Sequence, residues 1–459
     1  MEKALSLEEA KRLDHGAIAE YGLSEEALID SASSLAYSLV RDELKGKRVL
    51  FMIGPGNNGS DGLGMASLAM LDGIDFAVCY PYKDRCSESN RKRRSASFRI
   101  AEPISIPDFD IIIDALFGFS FEDRGDPGFS ALCHSINSSG KRVISLDVPS
   151  GIRIRADRTI AFTTLKDVFY VPSQRGLFGV IDAVNPGFPE EAIAKAHSSF
   201  SVLTFNDLCL PSIPIDGYKN TRGHVAVIGG SRPFQGAPRL SARAAFASGA
   251  GLVTLISDDD TLRTASLSDP SLILSGYDAD LSKYSSIVIG PGWGEGYREV
   301  FERAYESNKR LLIDADALKY APSHDFHGNA VLTPHIGEFR RLCALMDVPC
   351  LLDSPSSILE TLRRVSGILS AIVVLKSSVT WICFGSDAYV FDGANPSLGV
   401  AGSGDVLAGI IGALLGQEED CLKAAMNGVI LHQKAGLEAN RKHGFYMAER
   451  LIEEAGRAR

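Results

Sequence analysis

The sequence predicts an α/β fold in two domains, and three observations support this prediction. A chain of 459 residues is long for a single hydrophobic core. Short apolar runs recur along it, each followed by a loop with Gly or Asp and then by a helical stretch, which is typical of doubly wound parallel sheets. The pattern lapses between residues 205 and 222, where two prolines and a glycine occur. We therefore predict one domain at residues 1–205 and another at residues 206–459.

The predicted elements follow the apolar runs in chain order. In the first domain the runs predict strands at residues 49–53, 111–113 and 143–146, with a helix at residues 63–71. In the second domain they predict strands at residues 224–228, 252–256, 287–289, 311–313, 372–375, 381–384 and 389–391. Helices are predicted at residues 237–248, 405–415 and 421–438. Ligands of such sheets bind at the carboxyl ends of the strands, so the loops that follow the strands are expected to carry the chemistry.

The composition is that of an ordinary soluble globular protein, with 45% apolar and 23% charged residues. The net charge of −10 argues against general nucleic-acid binding, although an anionic ligand stays possible because such a site is built locally. The basic run at residues 91–94 is predicted to be a solvated loop. The sequence contains no internal repeat that would favour a structural or assembly role.

The eight cysteines are scattered along the chain and form no CxxC pair. This spacing is typical of reduced thiols, so we expect neither a disulfide framework nor a zinc site. The N-terminus reads as a charged helix start and not as a signal peptide, and no run of about 18 apolar residues occurs. We therefore expect a cytoplasmic protein without a membrane span.

The segment at residues 395–410 carries the strongest indication of chemistry. Gly399, Gly402 and Gly404 precede a single acid, Asp405, and an apolar helical run follows. Glycines at a helix start let backbone N–H groups approach an anion closely, and the helix dipole favours that anion. A carboxylate in the same turn is poorly placed to hold a phosphate but well placed to take a proton from a hydroxyl. The segment therefore predicts phosphoryl transfer to an alcohol, although Asp405 could also be a simple helix N-cap.

Polar side chains also follow the predicted strands of the first domain. They are Asn57, Asn58, Ser60 and Asp61 in the glycine-rich loop at residues 54–62, then Asp114, and then Asp147 with Ser150. Each could be an ordinary helix cap or turn residue. Carbonyl, carboxylate and hydroxyl oxygens at one sheet edge, with few charges, suit a hard monovalent cation. The glycine-rich loop is not a Walker motif, because no Gly-Lys-Ser/Thr follows it.

These residues lie in three motifs, Gly56-Asn-Asn-Gly-Ser-Asp-Gly62, Asp114-Ala-Leu-Phe-Gly118 and Asp147-Val-Pro-Ser-Gly151. In this order the motifs resemble those of the NAD(P)H-hydrate epimerase domain, which implies a Rossmann-like doubly wound sheet. The resemblance implies that Asp147 performs acid–base chemistry at the nicotinamide ring and that Asn58, Asp114 and Ser150 hold a potassium ion. The implied contacts to the hydrated nucleotide are Asn57, Asn58, Gly59, Ser60, Asp61, Gly118, Phe119, Ser120, Phe121, Glu122, Asp123, Arg124 and Asp147. The chain departs from the family pattern at residues 29–33 and 152–155.

Glycine-rich or polar segments follow the predicted strands of the second domain as well. They are residues 223–231, 235–238, 288–294, 312–318, 332–339 and 374–380. Taken singly they have ordinary explanations, with His335 as a loop histidine and Asp314 and Asp316 as turn formers. Lys376 could be a surface lysine, but a lysine that closes a buried apolar strand is unusual.

Together with the glycine–aspartate segment, and in order, these segments resemble the ADP-dependent NAD(P)H-hydrate dehydratase over about residues 219–440. The resemblance implies a ribokinase-like α/β/α sandwich in which Asp405 is the base that activates the ring hydroxyl of the hydrate. The implied substrate contacts are Ala237, Gly292, Gly294, His335 and Asp405. The implied contacts to the adenine nucleotide, ADP or AMP, are Lys376, Ser377, Ser378, Val379, Thr380 and Gly404.

The two resemblances together imply a bifunctional enzyme that repairs hydrated NADH and NADPH (NADHX and NADPHX). The first domain would interconvert their R and S epimers, and the second would dehydrate the S form with ADP, giving AMP and phosphate. The implied cofactors are K⁺ in the first domain and Mg²⁺ with ADP in the second, and we expect a homo-oligomer. Two alternatives stay open: a ribokinase-like kinase for a small vitamin precursor, with a non-catalytic first domain, and a first domain that only senses nucleotide.

Overall fold

The computed structural model describes residues 1–82, 87–93, 98–101, 105–123 and 125–459. The chain divides into two compact units, Lys3–Ser199 and Phe200–Arg459, with Met1–Glu2 assigned to the second. Both units combine helices with mainly parallel strands, which confirms the predicted fold class. The predicted division between residues 205 and 206 stays a prediction.

The helices and strands of the first unit are as follows. They are β1 Glu2–Leu5, α1 Leu7–Tyr21, α2 Glu25–Leu44, β2 Arg48–Ile53, α3 Asn57–Leu71, β3 Asp75–Cys79, α4 Glu88–Arg93, β4 Ile111–Ala115, α5 Pro127–Ser138, β5 Arg142–Leu146, β6 Arg158–Phe162, β7 Leu165–Lys166, β8 Val180–Val184 and α6 Glu190–Lys195.

Six strands of the first unit form a parallel sheet in the order β3-β2-β4-β5-β6-β8, and β1 pairs in parallel with β7. Every residue of β4 is buried, as expected for a strand that is covered on both faces. After β2 the chain continues to one side of the sheet, to β3, and after β4 it continues to the other side, to β5. The loops after β2 and β4 therefore meet at a topological switch point, where ligands of such sheets bind.

The second unit has the following helices and strands. They are β9 Ser201–Leu203, β10 His224–Ile228, α7 Gly236–Ala247, β11 Leu252–Ile256, α8 Asp259–Ser268, β12 Ile273–Ser275, β13 Ser286–Ile289, α9 Arg298–Glu306, β14 Arg310–Ile313, β15 Ala330–Leu332, α10 Ile336–Leu345, α11 Pro355–Leu369, β16 Ile372–Leu375, β17 Val379–Phe384, β18 Asp387–Asp392, α12 Ser403–Leu415, α13 Cys421–His443 and α14 Ala448–Ala458.

The strands of the second unit follow the order β12-β11-β10-β13-β14-β15-β16-β17-β18-β9. The pairs from β12 to β16 are parallel, whereas β17 runs antiparallel to both β16 and β18. The turn between β16 and β17 consequently lies at the same edge as the carboxyl ends of the parallel strands. A single edge of this sheet thus carries the loops after β13, β14, β15 and β16.

Helix α12 packs so closely on its neighbours that two of its positions require glycine. A Cβ atom at Gly409 would lie 2.1 Å from the carbonyl oxygen of Ser241 in α7. A Cβ atom at Gly412 would lie 2.1 Å from Cγ2 of Val288 in β13. Contacts this short leave no room for a side chain, so the helix is held directly against α7 and β13. This packing fixes the N-terminal turn of α12, where Asp405 lies.

Three expectations from the sequence concern the cysteines, the basic run at residues 91–94 and the absence of a membrane span. The described cysteines are free thiols, and Cys86 lies outside the described residues. The prediction of a solvated loop at residues 91–94 is wrong for residues 91–93, because helix α4 extends to Arg93. The guanidinium of Arg93 pairs with Asp30 at 2.6 Å. Arg94 itself falls in a stretch that the structure does not describe. Within the described ranges, no helix combines the length and the apolar character that crossing a membrane requires.

We predict that residues 200–459 fold without the first unit. Strand β9 pairs with β18, Ser201 lying opposite Tyr389, so a fragment that starts at residue 215 loses an edge strand. The fragment of residues 200–459 should be soluble and should unfold in one cooperative thermal transition. The fragment of residues 215–459, the matched comparison, should melt at a lower temperature. A longer fragment that is insoluble or lacks a cooperative transition would contradict this prediction.

Candidate active sites

A cavity of about 490 Å³, a size typical of ligand sites, opens at the carboxyl edge of the first sheet. The structure places most of the predicted residues of this unit on its wall, namely Asn57, Asn58, Asp61, Gly118, Phe119, Ser120, Phe121 and Asp147. Glu122 and Asp123 instead line a neighbouring cavity of about 520 Å³. Gly59 and Ser60 are buried in the first turn of α3 and line neither cavity. Arg124 lies outside the described residues.

Asp114 and Ser150, two of the predicted cation ligands, are joined by hydrogen bonds. The hydroxyl of Ser150 donates to Oδ1 of Asp114 at 2.6 Å, and the backbone N–H of Ser150 donates to Oδ2 at 2.9 Å. The hydroxyl of Ser145 donates to the same Oδ2 at 2.9 Å. Asp114 is fully buried, and this burial raises the pKa of its carboxyl, although the hydrogen bonds from Ser150 and Ser145 lower it.

Asn58, the third predicted cation ligand, is buried on the cavity wall without a hydrogen-bond partner. Its side chain is 8% exposed, and neither Oδ1 nor Nδ2 bonds to any described residue. A buried amide that has lost its water without gaining a partner destabilises the fold by roughly 1–3 kcal/mol. An unpaired Asn58 is therefore a residue that a bound ion or ligand would satisfy.

Asp147 is held in a strained conformation beside a buried lysine. Its φ angle is +64°, in the left-handed region that residues other than glycine rarely adopt. Its Oδ2 accepts the backbone N–H of Phe119 at 2.8 Å, and its Oδ1 lies 3.4 Å from Nζ of Lys166. Lys166 is only 5% exposed and donates to the carbonyl of Phe162 at 2.9 Å. The sequence reasoning missed Lys166, and no local pattern marks it, because Thr163 and Thr164 interrupt the apolar residues before it.

Asp61 adds a further carboxyl to the same cavity wall, which Asp14 also lines. Burial, and then the negative charge of Asp147, raise the pKa of Asp61 well above its ordinary value, while Arg93 lowers it. Asp147, in contrast, is paired with the Lys166 ammonium. Two carboxyls in one cavity with such different environments are suited to separate acid and base roles.

The predicted residues of the second unit also collect at one sheet edge. Gly292 and Gly294 follow β13, Asp314 follows β14, His335 follows β15 and Lys376 follows β16. Because these four strands are parallel neighbours, the loops after them are brought side by side.

Asp405 lies in the first turn of α12 but is not its N-cap. The cap position is taken by Gly402, whose φ is +90° and which has no capping side chain. The interpretation of Asp405 as a helix cap is therefore wrong. Its carboxylate makes no hydrogen bond to any described residue, although its backbone carbonyl accepts the hydroxyl of Ser241 at 2.9 Å. Burial raises the pKa of Asp405 to about 7, helped by the negative charges of Asp314 and Glu338 and opposed by Lys376.

Lys376 places its ammonium group at the start of α12. Its Nζ donates to Oδ1 of the buried Asp314 at 2.7 Å, and the hydroxyl of Thr333 donates to the same oxygen at 2.9 Å. A Cβ atom at Gly404 would lie 3.5 Å from Nζ of Lys376. A fixed cation therefore stands beside the free N–H groups of a helix N-terminus, an arrangement that suits phosphate.

His335 caps the helix α10. Its Nδ1 accepts the backbone N–H of Gly337 at 2.9 Å and that of Glu338 at 3.3 Å. The backbone N–H of His335 in turn donates to the Glu338 carboxylate at 2.8 Å. The ring is half exposed, with Nε2 3.5 Å from the other oxygen of Glu338. The interpretation of His335 as a satisfied loop histidine therefore holds for Nδ1, which caps the helix. Nε2 is the ring nitrogen that is available to a ligand.

The remaining predicted contacts lie on either side of this centre. Ala237 and Gly292 are neighbours, because a Cβ atom at Gly292 would lie 3.2 Å from Cβ of Ala237. The carbonyl of Gly294 accepts Nζ of Lys319 at 2.8 Å. In the β16–β17 hairpin, Val379 is fully buried and Thr380 is 5% exposed, so any contact from Val379 to a nucleotide must come from its backbone. Ser377 and Ser378 form the turn itself.

A buried histidine, His432, contacts Ser403 in the first turn of α12. The sequence reasoning missed this histidine. Nε2 of His432 lies 3.0 Å from the carbonyl oxygen and 3.2 Å from the hydroxyl of Ser403. Burial lowers the pKa of His432 to about 4, so the ring is neutral at physiological pH. The signal was weak, since the two residues are 29 positions apart and belong to different helices.

A half-buried carboxylate, a lysine and a glycine-rich helix start at the edge of a largely parallel sheet define an enzyme of the ribokinase-like class. The fold agrees with this assignment. A ribokinase-like superfamily protein of Enterococcus faecalis is 25% identical, with 57% of this chain and 95% of that chain covered and a TM-score of 0.52. An ADP/ATP-dependent NAD(P)H-hydrate dehydratase of Bacillus subtilis, crystallised with ATP and Mg²⁺, is 25% identical over 56% of this chain and 97% of that chain, with a TM-score of 0.51.

Matches to family models, and to relatives that align over most of their length, identify the family within the ribokinase-like class. The model of the NAD(P)H-hydrate dehydratase family matches residues 225–457, and that of the YjeF-related protein N-terminus matches residues 25–167. The bifunctional NAD(P)H-hydrate repair enzyme of Coxiella burnetii is 30% identical, covering 95% of this chain and 92% of the relative. That of Escherichia coli is 29% identical, covering 90% and 85%. The chain belongs to the family of bifunctional NAD(P)H-hydrate repair enzymes, which confirms both resemblances drawn from the motifs.

Proposed function

We propose that this protein repairs hydrated NADH and NADPH in two consecutive reactions. The first unit interconverts the R and S epimers, and the second uses ADP to dehydrate the S epimer, giving NAD(P)H, AMP and phosphate. The observation that carries the proposal is Asp405, an unbonded and half-buried carboxylate whose pKa of about 7 suits a general base at neutral pH. It stands next to a phosphate-binding helix start, where a hydroxyl would meet a nucleotide phosphate.

The dehydration follows from the weakness of hydroxide as a leaving group. Asp405 takes the proton of the ring hydroxyl. The hydroxyl oxygen attacks the terminal phosphorus of ADP, and AMP leaves. The ring nitrogen then expels phosphate as the C–O bond breaks, and loss of a proton from the neighbouring carbon restores the dihydropyridine. Lys376 and the N–H groups at Gly404 stabilise the charge on the phosphoryl group in transfer. Mg²⁺ enters with ADP as part of the substrate complex.

Ligand contacts in the second unit follow the same arrangement. The hairpin from Lys376 to Thr380 and Gly404 hold the adenine nucleotide. Ala237, Gly292, Gly294 and Nε2 of His335 surround the hydrated nicotinamide. In the first unit, the wall residues of the 490 Å³ cavity hold the hydrated nucleotide. The nucleotide extends into the neighbouring cavity, where it contacts Glu122 and Asp123.

Epimerisation at the hydrated carbon needs proton transfer at the ring. Asp147 takes the base role, with the ammonium of Lys166 beside it, and Asp61, whose pKa burial raises well above its ordinary value, takes the acid role. The residues also fit a potassium ion, because Asn58 has an unsatisfied carbonyl oxygen and Asp114 is a buried carboxylate without a cationic partner among the described residues. Asn58, Asp114 and Ser150 would hold the ion, which supplies positive charge to the loops around the cavity.

We predict that potassium stabilises the protein through Asn58. A ligand that binds the folded state raises its stability by RT ln(1 + [L]/Kd), so KCl should raise the thermal midpoint relative to NaCl at equal ionic strength. Asn58→Ala should remove most of the difference between the two salts. Equal midpoints in KCl and NaCl for the unaltered protein would contradict the ion site.

We predict that dehydration depends on pH through Asp405. The base must be ionised, so kcat/KM for the S epimer should rise about tenfold per pH unit below pH 7 and level off above it, given a pKa of about 7. Initial rates between pH 5.5 and 8.5, at saturating ADP, provide the profile. A flat profile across pH 7 would show that another group is the base.

One assay tests the proposed function as a whole. Both epimers of NADHX are incubated with ADP and KCl, and the absorbance of the reduced nicotinamide is followed. Full recovery indicates both activities, whereas recovery that stops at the S fraction indicates a dehydratase without an epimerase. A stable phosphorylated product would instead identify a small-molecule kinase. A cytoplasmic location and a homo-oligomeric assembly belong to the same proposal.

A further inference from the structure

A further cavity in the second unit, of about 480 Å³, has no role in the chemistry described above. It lies between helix α10 and the 3₁₀ segment Ala315–Ser323, which follows β14. Its wall is largely apolar, with Leu318, Leu342 and Leu345 among the lining residues. Leu345 is 57% exposed, so this apolar surface is not consumed by the core. The volume is within the range of about 300–1,000 Å³ that is typical of small-molecule sites.

The cavity begins where the proposed nicotinamide contacts end. Glu295 lines it and directly follows Gly294, whose carbonyl is held by Lys319 at 2.8 Å. Glu338 also lines it and accepts the backbone N–H of His335 at 2.8 Å. Glu295 and Glu338 are thus directly connected to Gly294 and His335, two of the proposed substrate contacts. The cavity is therefore an outward extension of the dehydratase site.

One cation on the wall is unpaired. Arg341 lines the cavity and makes no hydrogen bond or ion pair with any part of the chain that the structure describes. Lys319, in contrast, is already engaged with Gly294 and with Glu295 at 2.9 Å. A guanidinium with free donors pairs well with phosphate oxygens. Carboxylates at Glu295, Asp316 and Glu338 supply acceptors for the hydroxyls of a ribose.

The reaction itself requires two adenylate groups to be bound at the same time. The hydrated dinucleotide carries one and ADP carries the other. The β16–β17 hairpin takes that of ADP, so the adenylate half of the dinucleotide needs a separate place within reach of the nicotinamide contacts. The 480 Å³ cavity has the volume, the apolar wall and the free guanidinium for it.

We propose that this cavity binds the adenylate half of the hydrated dinucleotide, with Arg341 contacting its phosphate and the leucines packing against its adenine. The inference rests on the proposed dehydratase function and adds a binding subsite to it. The test compares the S epimer of NADHX with the hydrate of reduced nicotinamide mononucleotide, which lacks the adenylate half.

Arg341→Glu should raise KM for NADHX about tenfold or more, because it removes a charge-assisted hydrogen bond and places a carboxylate beside the phosphate. The value of kcat should stay nearly constant, since the contact is equal in ground and transition states, and the mononucleotide should react as with the unaltered enzyme. Arg340→Glu is the matched control, because Arg340 is the exposed neighbour that does not line the cavity. Leu345→Asp, at an exposed position on the apolar wall, should reproduce the selective loss.

Four outcomes would overturn the inference. They are an unchanged KM for NADHX, an equal loss for the mononucleotide, a raised KM for ADP in place of NADHX, and a change of molecular mass on size exclusion, which would make the cavity an interface between copies. Failure of the proposed function is distinct from all four. In that case the unaltered protein would dehydrate neither substrate.

Discussion

Asp405→Asn should lower dehydration of the S epimer roughly 10²–10⁴-fold, the factor that a positioned general base contributes. Asparagine keeps the shape of the side chain but cannot take a proton at neutral pH. The substitution breaks no side-chain hydrogen bond within the described residues, and the N-cap of α12 is Gly402, so the fold should survive it. Turnover is measured with S-NADHX at saturating ADP. Binding of ADP, measured by calorimetry, should be preserved.

The stability of the same variant provides an independent check. The pKa of Asp405 is about 7 in the folded state against an ordinary value of 3.8. A raised pKa means that the stabilising contribution is complete below about pH 3.8 and is lost as pH rises through 7. The thermal midpoint of the asparagine variant at pH 8 should therefore equal or exceed that of the unaltered protein.

A matched control separates the charge of Asp405 from charge in general. Asp387→Asn removes an exposed carboxylate at the start of β18 and should change neither turnover nor its pH profile. Near-normal turnover of Asp405→Asn with an unchanged midpoint would contradict the role of base. Lost turnover with a much lower midpoint would point to a structural role.

The buried parallel strands were the part of the fold that the sequence predicted best. Strands β10, β11 and β16 begin and end at the predicted residues, because a strand covered on both faces is a continuous apolar run bounded by turns. Strands β12 and β15, with three residues each, were not predicted, since their position depends on pairing with neighbours and not on a local pattern. Motif order, and not periodicity, identified most of the site residues.

Side chains whose role depends on tertiary packing could not be predicted in this way. His432 reaches Ser403 from another helix, and Arg341 is notable only because a cavity lies beside it. Lys166 ends a strand of two residues that follows Thr163, which has a φ of +71°. No local periodicity covers so short an element. The lysine becomes recognisable only when burial and its distance to Asp147 are known.

Lys166→Met should slow epimerisation roughly 10²–10³-fold, the loss expected when one preorganised charge is removed from a site, and leave dehydration of the S epimer unchanged. The ammonium of Lys166 lies 3.4 Å from Asp147 and is almost completely shielded from water, where a charge interacts far more strongly than at the surface. Its removal leaves three carboxyls, Asp14, Asp61 and Asp147, on one cavity wall without that cation. Methionine keeps the length of the stem and so preserves the apolar packing of the chain around it.

Pure R-NADHX with ADP gives the readout, because each molecule must be epimerised before the second unit can dehydrate it. The rate with S-NADHX in the same preparation is the internal control for folding and for the second site. Lys47→Met is the matched substitution, since Lys47 is exposed and lines neither cavity of the first unit. Its effect should be within about threefold, because an exposed charge is screened by water. Where Lys166→Met destabilises the first unit, Lys166→Arg keeps the charge and should restore part of the rate. Conversion of R-NADHX by the methionine variant at the unaltered rate would exclude Lys166 from the chemistry and leave Asp147 to act without a cationic partner.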